Sequence, residues 1–288
     1  MNSFLVRCFR TAVLTTLFCL YVGQSFAQPA ADDWQKLIDQ HAELTKRNQL
    51  DLALDIAQRA LALAESRTAP TLQEVAVSLV TLATSYRSLG QYDKALPLQQ
   101  RVMAIREKEY GPEHANTAEA LNNLAIAYSD LKQYDQALPT MQRALGIYER
   151  SLGPEHTVTA QCLSNLAYIY LQTLQYSAAL PLYERALEIM ARTLDEDHSQ
   201  VAASLSYLAL TYVGIAQYEK ALTLQQRVLA INEKTAGPDH LTTAASLYAL
   251  AETYKKLARY EPMLQLQTRA LLVYEIKQHL FCKFRFWF

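Results

Sequence analysis

Glycine is scarce in this 288-residue chain, with seven residues, and proline is little commoner, with nine. An all-β architecture, with its many tight turns, needs more of both, so the shortage points to helices. Cysteine is nearly missing as well. Of four, Cys8 and Cys19 fall in the first 27 residues, which leaves Cys162 and Cys282 for the rest of the chain. Two cysteines so far apart are no disulfide framework. Nor is there an excess of one charge: 27 basic residues face 28 acidic ones, and no lysine- or arginine-rich run stands out. Without that electrostatic footprint nucleic acid is not an expected partner. The chain also lacks a glycine-rich phosphate loop, a nucleophile elbow and a His-Glu-x-x-His pattern. Catalysis therefore has no motif to rest on, and no cofactor is expected.

What is present begins with a leader. Arg7 and Arg10 give a positive start, Thr11 to Gly23 is apolar and uncharged, and Ser25-Phe26-Ala27 sets small residues where a signal peptidase inspects them. The apolar stretch is short beside the roughly 20 residues of a membrane span. Export with cleavage after Ala27 is expected, to the periplasm or the medium; an uncleaved membrane anchor is the alternative. The bulky Phe18 before Cys19 does not suit a lipobox. Residues 28–278 would form the folded body; cleavage would leave 25 basic against 28 acidic residues in residues 28–288.

That body is periodic. Leu79, Leu121, Leu163, Leu205 and Leu247 recur every 42 residues, as do Tyr86, Tyr128, Tyr170, Tyr212 and Tyr254, and again Tyr92, Tyr134, Tyr176, Tyr218 and Tyr260. Stepping back once reaches Leu37, Leu44 and Leu50, so a degenerate first copy begins near Trp34 and six copies follow one another. Within one copy Leu163, Leu166, Ala167 and Tyr170 have the i, i+3, i+4, i+7 spacing of a helical stripe. A break at Leu89-Gly90-Gln91 precedes a second helix carrying Ala95, Leu98, Val102 and Ile105, which Gly111-Pro112 closes. Asn116-Thr117 and their equivalents are expected to cap the next helix, and Pro97, Pro139 and Pro181 to be tolerated about a turn into the second. The ten periodic tyrosines read as core positions. No single hairpin can bury its own stripe, but stacked copies can, giving an all-α solenoid with a concave and a convex face.

Leu82-Ala83, Tyr86, Tyr92, Ala95 and Val102 resemble the tetratricopeptide repeat in order and spacing. The 42-residue period, with Ala120-Leu121-Asn122-Asn123-Leu124-Ala125 and Leu152-Gly153-Pro154-Glu155-His156, is similar to the kinesin-light-chain subclass, also seen in exported bacterial proteins. The resemblance covers residues 34–278. It implies a right-handed superhelical solenoid of about six hairpins that serves as a protein-interaction scaffold and is not an enzyme. Its partner would be a protein or peptide, with the first helices lining a groove.

By the same resemblance the concave wall comprises Asn122, Asn123, Ser129, Ser164, Asn165, Tyr168, Ser206, Tyr207, Tyr248 and Glu252. Asparagine both donates to and accepts from a peptide backbone, and tyrosine adds apolar area with a polar tip. Asn123 and Asn165, one repeat apart, are expected side by side. Lys255 and Lys256 are the basic pair close to this wall, and a two-carboxylate clamp for peptide C-termini looks absent. His114, His156, His198 and His240 recur once per linker and read as capping or packing residues; a row on successive rungs does not converge on one metal. Cys162, in an apolar run, reads as packing. Residues 279–288 drop the pattern, and Phe281-Cys282-Lys283-Phe284-Arg285-Phe286-Trp287-Phe288 reads as a truncated or out-of-frame end. The alternative function follows from that tail: the recognition half of a protein in which a caspase-like peptidase domain would follow the repeats.

Overall fold

The computed structural model describes residues 29–67, 71–195 and 197–285. The expected leader and Cys8 and Cys19 lie outside these residues, as do the side chains of the aromatic tail. Among the described residues twelve α-helices follow one another: α1 Pro29–Lys46, α2 Leu50–Ser66, α3 Leu72–Ser88, α4 Tyr92–Tyr110, α5 Ala115–Asp130, α6 Tyr134–Ser151, α7 Thr157–Gln172, α8 Tyr176–Thr193, α9 Ser199–Gly214, α10 Tyr218–Thr235, α11 Leu241–Lys256 and α12 Tyr260–Arg285. Odd-numbered helices are the first, and even-numbered ones the second, of each expected hairpin. The last helix, α12, carries helical backbone through to Arg285.

The chain divides into two compact units, residues 1–109 and 110–288. In the first, α2 packs on α1 and on α3. The degenerate first copy is tied down by unlike means: Trp34 Nε1 donates to Ser78 Oγ at 2.8 Å, and His41 Nε2 lies 2.8 Å from Ser85 Oγ. His41, isolated in the sequence, is thus a buried bridge between α1 and α3, and burial lowers its pKa from the ordinary histidine value.

In the second unit each helix packs on the next, and α7 also touches both α5 and α9. Small residues make this possible. Ala167, Ala179, Ala186 and Ala221 are fully buried, letting backbones approach while Leu163, Ile189 and Tyr183 fill the space between.

The hairpin turns share one backbone device. Gly90 adopts φ 71°, and its equivalents Asn48, Lys132, Leu174, Ala216 and Ala258 adopt φ between 56° and 59° although none is glycine. The residue after each donates to a carbonyl five positions back, as Gln91 N does to Tyr86 O at 2.8 Å and Gln175 N to Tyr170 O at 2.8 Å. This is the left-handed C-terminal cap, imposed by the geometry of the turn whatever the side chain.

Linkers between repeats correct one expectation. Asn116 and its equivalents do not cap the following helices; the histidines do. Backbone N–H groups of Asn116, Val158, Gln200 and Thr242 donate to Nδ1 of His114, His156, His198 and His240 at 3.1, 3.1, 3.2 and 3.3 Å. Thr117, Thr159 and Thr243 instead donate back to the carbonyls of Gly111, Gly153 and Gly237 at 2.6, 2.8 and 2.7 Å. Where Val201 replaces the threonine, Asp195 replaces the glycine. The helix opens two residues earlier than expected because the imidazole reaches the N–H that a short side chain further on cannot.

The periodic tyrosines also need correction. Of the ten, Tyr212 alone is buried, Tyr92 and Tyr260 are exposed and the others are partly buried. Several use the hydroxyl between copies: Gln58, Gln142 and Gln226 donate to Tyr86, Tyr170 and Tyr254 at 3.2, 3.0 and 3.3 Å, while Tyr212 donates to Glu184 at 2.8 Å. Each ring covers apolar surface and keeps its tip near water.

Candidate functional site: the wall of first helices

Within the second unit α5, α7, α9 and α11 hold the expected wall. Its first part is a chain of amides. Gln161 Nε2 donates to Asn165 Oδ1 at 3.2 Å, Asn165 Nδ2 to Asn122 Oδ1 at 2.9 Å, and Asn122 Nδ2 to Asn123 Oδ1 at 3.3 Å. Asn165 therefore meets Asn122, and the expected pairing of Asn165 with Asn123 is not what forms. Side chains reach the neighbouring first helix obliquely in both directions, Trp34 to Ser78 over 44 residues and Ser164 to Ser204 over 40, so contacts are not confined to residues 42 apart. All three asparagines stay partly exposed.

Ser129 and Ser164 leave the wall. Both are buried, Ser164 Oγ lying 3.2 Å from Ser204 Oγ between α7 and α9. Their small side chains let the neighbouring helix close over them, which hides them from any ligand.

An aromatic cluster follows. Tyr168 on α7 and Tyr207 on α9 meet edge to face with centroids 5.0 Å apart, and Tyr207 stacks at 6.1 Å on Tyr183 of α8. Tyr183 is fully buried, its hydroxyl has no protein partner, and burial with the neighbouring Tyr207 and Tyr168 raises its pKa. Tyr183 was not among the expected residues, because it comes from a second helix. Its column reads Gln99, Met141, Tyr183, Gln225 and Gln267, whose mixed character gave the only hint.

Beyond Tyr207 a groove of about 350 Å³ opens between α9 and α11 over α10. Ser206 and Tyr207 line it with Leu210 from α9; Gln225 and Val228 come from α10, Ala245 and Ala249 from α11. None of its lining side chains is charged. Tyr207 and Leu210 are 38% and 50% exposed, and the nearby Tyr248 on α11 is 54% exposed. Leu210 was missed, since an apolar residue on an apolar helix carries no mark of exposure. Glu252, a turn beyond Tyr248, is engaged: Lys255 Nζ lies 3.6 Å from its carboxylate and Gln267 donates to it at 3.4 Å.

The opposite, second-helix side is ionic. Arg185 pairs with Glu149 at 2.7 Å and Arg269 with Glu233 at 2.6 Å, each bridging consecutive second helices. Cys162 is buried beside Met141, and burial, with the nearby Glu149 adding to it, pushes its thiol up to about 12. Among the described residues no cluster of three potential metal ligands occurs, and no helix is long and apolar enough to cross a membrane.

A tetratricopeptide repeat model matches residues 74–149, 129–192, 175–234 and 200–275, well over half of the chain. Among solved structures, nearly identical TPR-like repeats of a Podosopora anserina protein named for kinesin light chain are similar at 28% identity. That match covers 70% of this chain and 96% of the other, with a TM-score of 0.62. BtubC (BKLC) from P. vanneervenii is similar in fold at 21% identity, covering 84% and 92%, with a TM-score of 0.64. Aspartyl phosphate phosphatase F from Bacillus subtilis shares the fold at 15% identity, covering 86% and 61%, with a TM-score of 0.62. Among curated proteins none matches.

Proposed function

This chain belongs to the tetratricopeptide repeat family, with repeats like those of kinesin light chains, and is a scaffold for protein interactions; from that premise we propose that it holds extended peptides against α5, α7, α9 and α11 outside the cytoplasm. The observation that carries the reading is the exposure of Tyr207 and Leu210 on α9 and of Tyr248 on α11, with the linked amides of Asn122, Asn123 and Asn165 on the preceding first helices. Exposed rings grouped on one wall beside an uncharged groove suit a chain that offers its backbone to amides and its side chains to rings.

A random-peptide library panned on the purified chain tests this. Recovered peptides should compete with one another and lose binding to a Tyr207→Ala, Tyr248→Ala variant whose circular dichroism is unchanged. Peptides that bind that variant as well as the wild type would remove the wall from consideration. Export rests on Arg7, Arg10 and the stretch to Ala27. The extracytoplasmic product should begin at Gln28 on N-terminal sequencing, whereas intact Met1 in a membrane fraction would contradict cleavage.

A further inference from the structure

Gln225 lines the groove between α9 and α11 and is only 8% exposed, yet its Oε1 is buried and accepts no hydrogen bond from the protein. A buried amide oxygen without a donor is a liability that folded proteins avoid. Packing does not demand it: one repeat further back than Tyr183 the same position holds Met141, apolar and fully buried. The fold thus accepts a residue with nothing to satisfy, and at Gln225, as at the equivalent Gln99, the chain carries an acceptor instead; Gln225 is the one that lines this groove.

The neighbouring polar groups are already occupied. Asn232 Nδ2 donates to Ser246 Oγ at 2.7 Å, and the Ser246 hydroxyl donates to the Thr242 carbonyl at 3.0 Å. With those groups bonded internally, the Gln225 amide, whose oxygen has no donor, is what the groove offers to the polar tip of an incoming group. Leu210 and Val228 supply an apolar surface, the Tyr207 ring is partly open, and no charged side chain lines the space. Its 350 Å³ lies at the small end of ligand clefts, the size for a side chain and not for a helix.

We propose that this groove is an anchor pocket for an uncharged aromatic side chain whose tip donates one hydrogen bond, a phenol being the simplest, with Gln225 Oε1 as the acceptor. The proposal rests on the peptide-binding reading and names the residue type the peptide must present. Because the Gln225 oxygen has no bond to lose, the amide is free to turn about its last side-chain torsion, which is broad for such groups, and meet the donor. The aromatic body displaces water from Leu210 and Val228 and packs on Tyr207. A carboxylate or ammonium is refused, since no charged side chain in the groove would offset its loss of water.

p-Cresol and toluene, which differ by one hydroxyl, are the probes. Titrated into the full chain and followed by the methyl NMR shifts of Leu210 and Val228, p-cresol should bind saturably and about fivefold tighter than toluene, the ratio of one ordinary hydrogen bond. Gln225→Met should keep the helical circular dichroism and the toluene affinity while abolishing the preference. Equal affinities in the wild type, a preference that survives Gln225→Met, or 4-methylbenzoate binding as well as p-cresol would each overturn the proposal. A blocked Ala-Tyr-Ala peptide separates the two readings. If it gains nothing over p-cresol, peptide binding is contradicted while the pocket chemistry stands. If it binds but p-cresol does not, the pocket assignment alone is lost.

Discussion

Leu174 holds a left-handed backbone at φ 59° while its side chain is 69% exposed. For an L-residue that conformation costs about 1–2 kcal/mol, and exposure leaves little packing to offset it. Leu174→Gly should therefore stabilise the protein by about 0.5–1 kcal/mol after the added unfolded-state entropy, read as a higher urea midpoint. A lower midpoint would mean that the leucine contributes contacts the turn needs. Gly90 was legible in the sequence as a helix stop; its five equivalents were not, since nothing about Lys132 or Ala258 marks a left-handed turn. Cys162 makes a second residue-scale case. Its thiol stands at about 12 against 9.0 for the free group, so folding favours the protonated form. The associated stability is complete below pH 9 and declines from there toward pH 12, where the unfolded chain alone gives up its proton. Urea midpoints of the wild type should fall faster than those of Cys162→Ala across that window, and parallel curves would contradict a buried thiol. Alkylation at neutral pH should likewise follow global unfolding.

At the scale of the element, the repeat was legible because burial acts on periodicity. Leu163, Ala167 and Leu205 are buried where the 42-residue spacing puts them, and the helices begin and end close to the expected signals. What the spacing could not show was the share of work between side chains. The linker histidines are helix caps, and the threonines tie the linker glycines. His156→Ala should cost about 1 kcal/mol, as loss of other helix caps does, with His156→Asn restoring most of it. An unchanged melt for both would mean the imidazole bond is idle. The spacing of the periodic tyrosines predicts core, but an amphipathic ring satisfies the same spacing from a half-exposed seat. A large loss is expected instead from Leu163→Ala, fully buried between α7, α8 and α9, at about 3–4 kcal/mol in urea titration. A cost below about 1 kcal/mol would show that the stack relaxes into the cavity.

Across the whole molecule, family and helix order were legible in the sequence. Asn165, Tyr168, Tyr207 and Tyr248 all lie on first helices, with the Tyr168 ring against that of Tyr207. Ser129 and Ser164 are buried and leave the wall; a serine on a helix face says nothing about how closely the next helix will lie. Gln225 and Tyr183 escaped notice because they reach this wall from the second helices, which the family resemblance assigns elsewhere. The central claim is that partners bind on the first-helix wall and not on the ionic side formed by the second helices. Its most direct test is the affinity of one selected peptide, measured by calorimetry at two salt concentrations, for the wild type and two variants. Asn165→Ala with Tyr207→Ala should weaken binding by about 2–3 kcal/mol, Arg143→Glu on α6 should leave it unchanged, and salt should matter little because the groove is uncharged. Undiminished binding by the double variant, together with loss of binding in Arg143→Glu, would contradict the account and move recognition to the second helices.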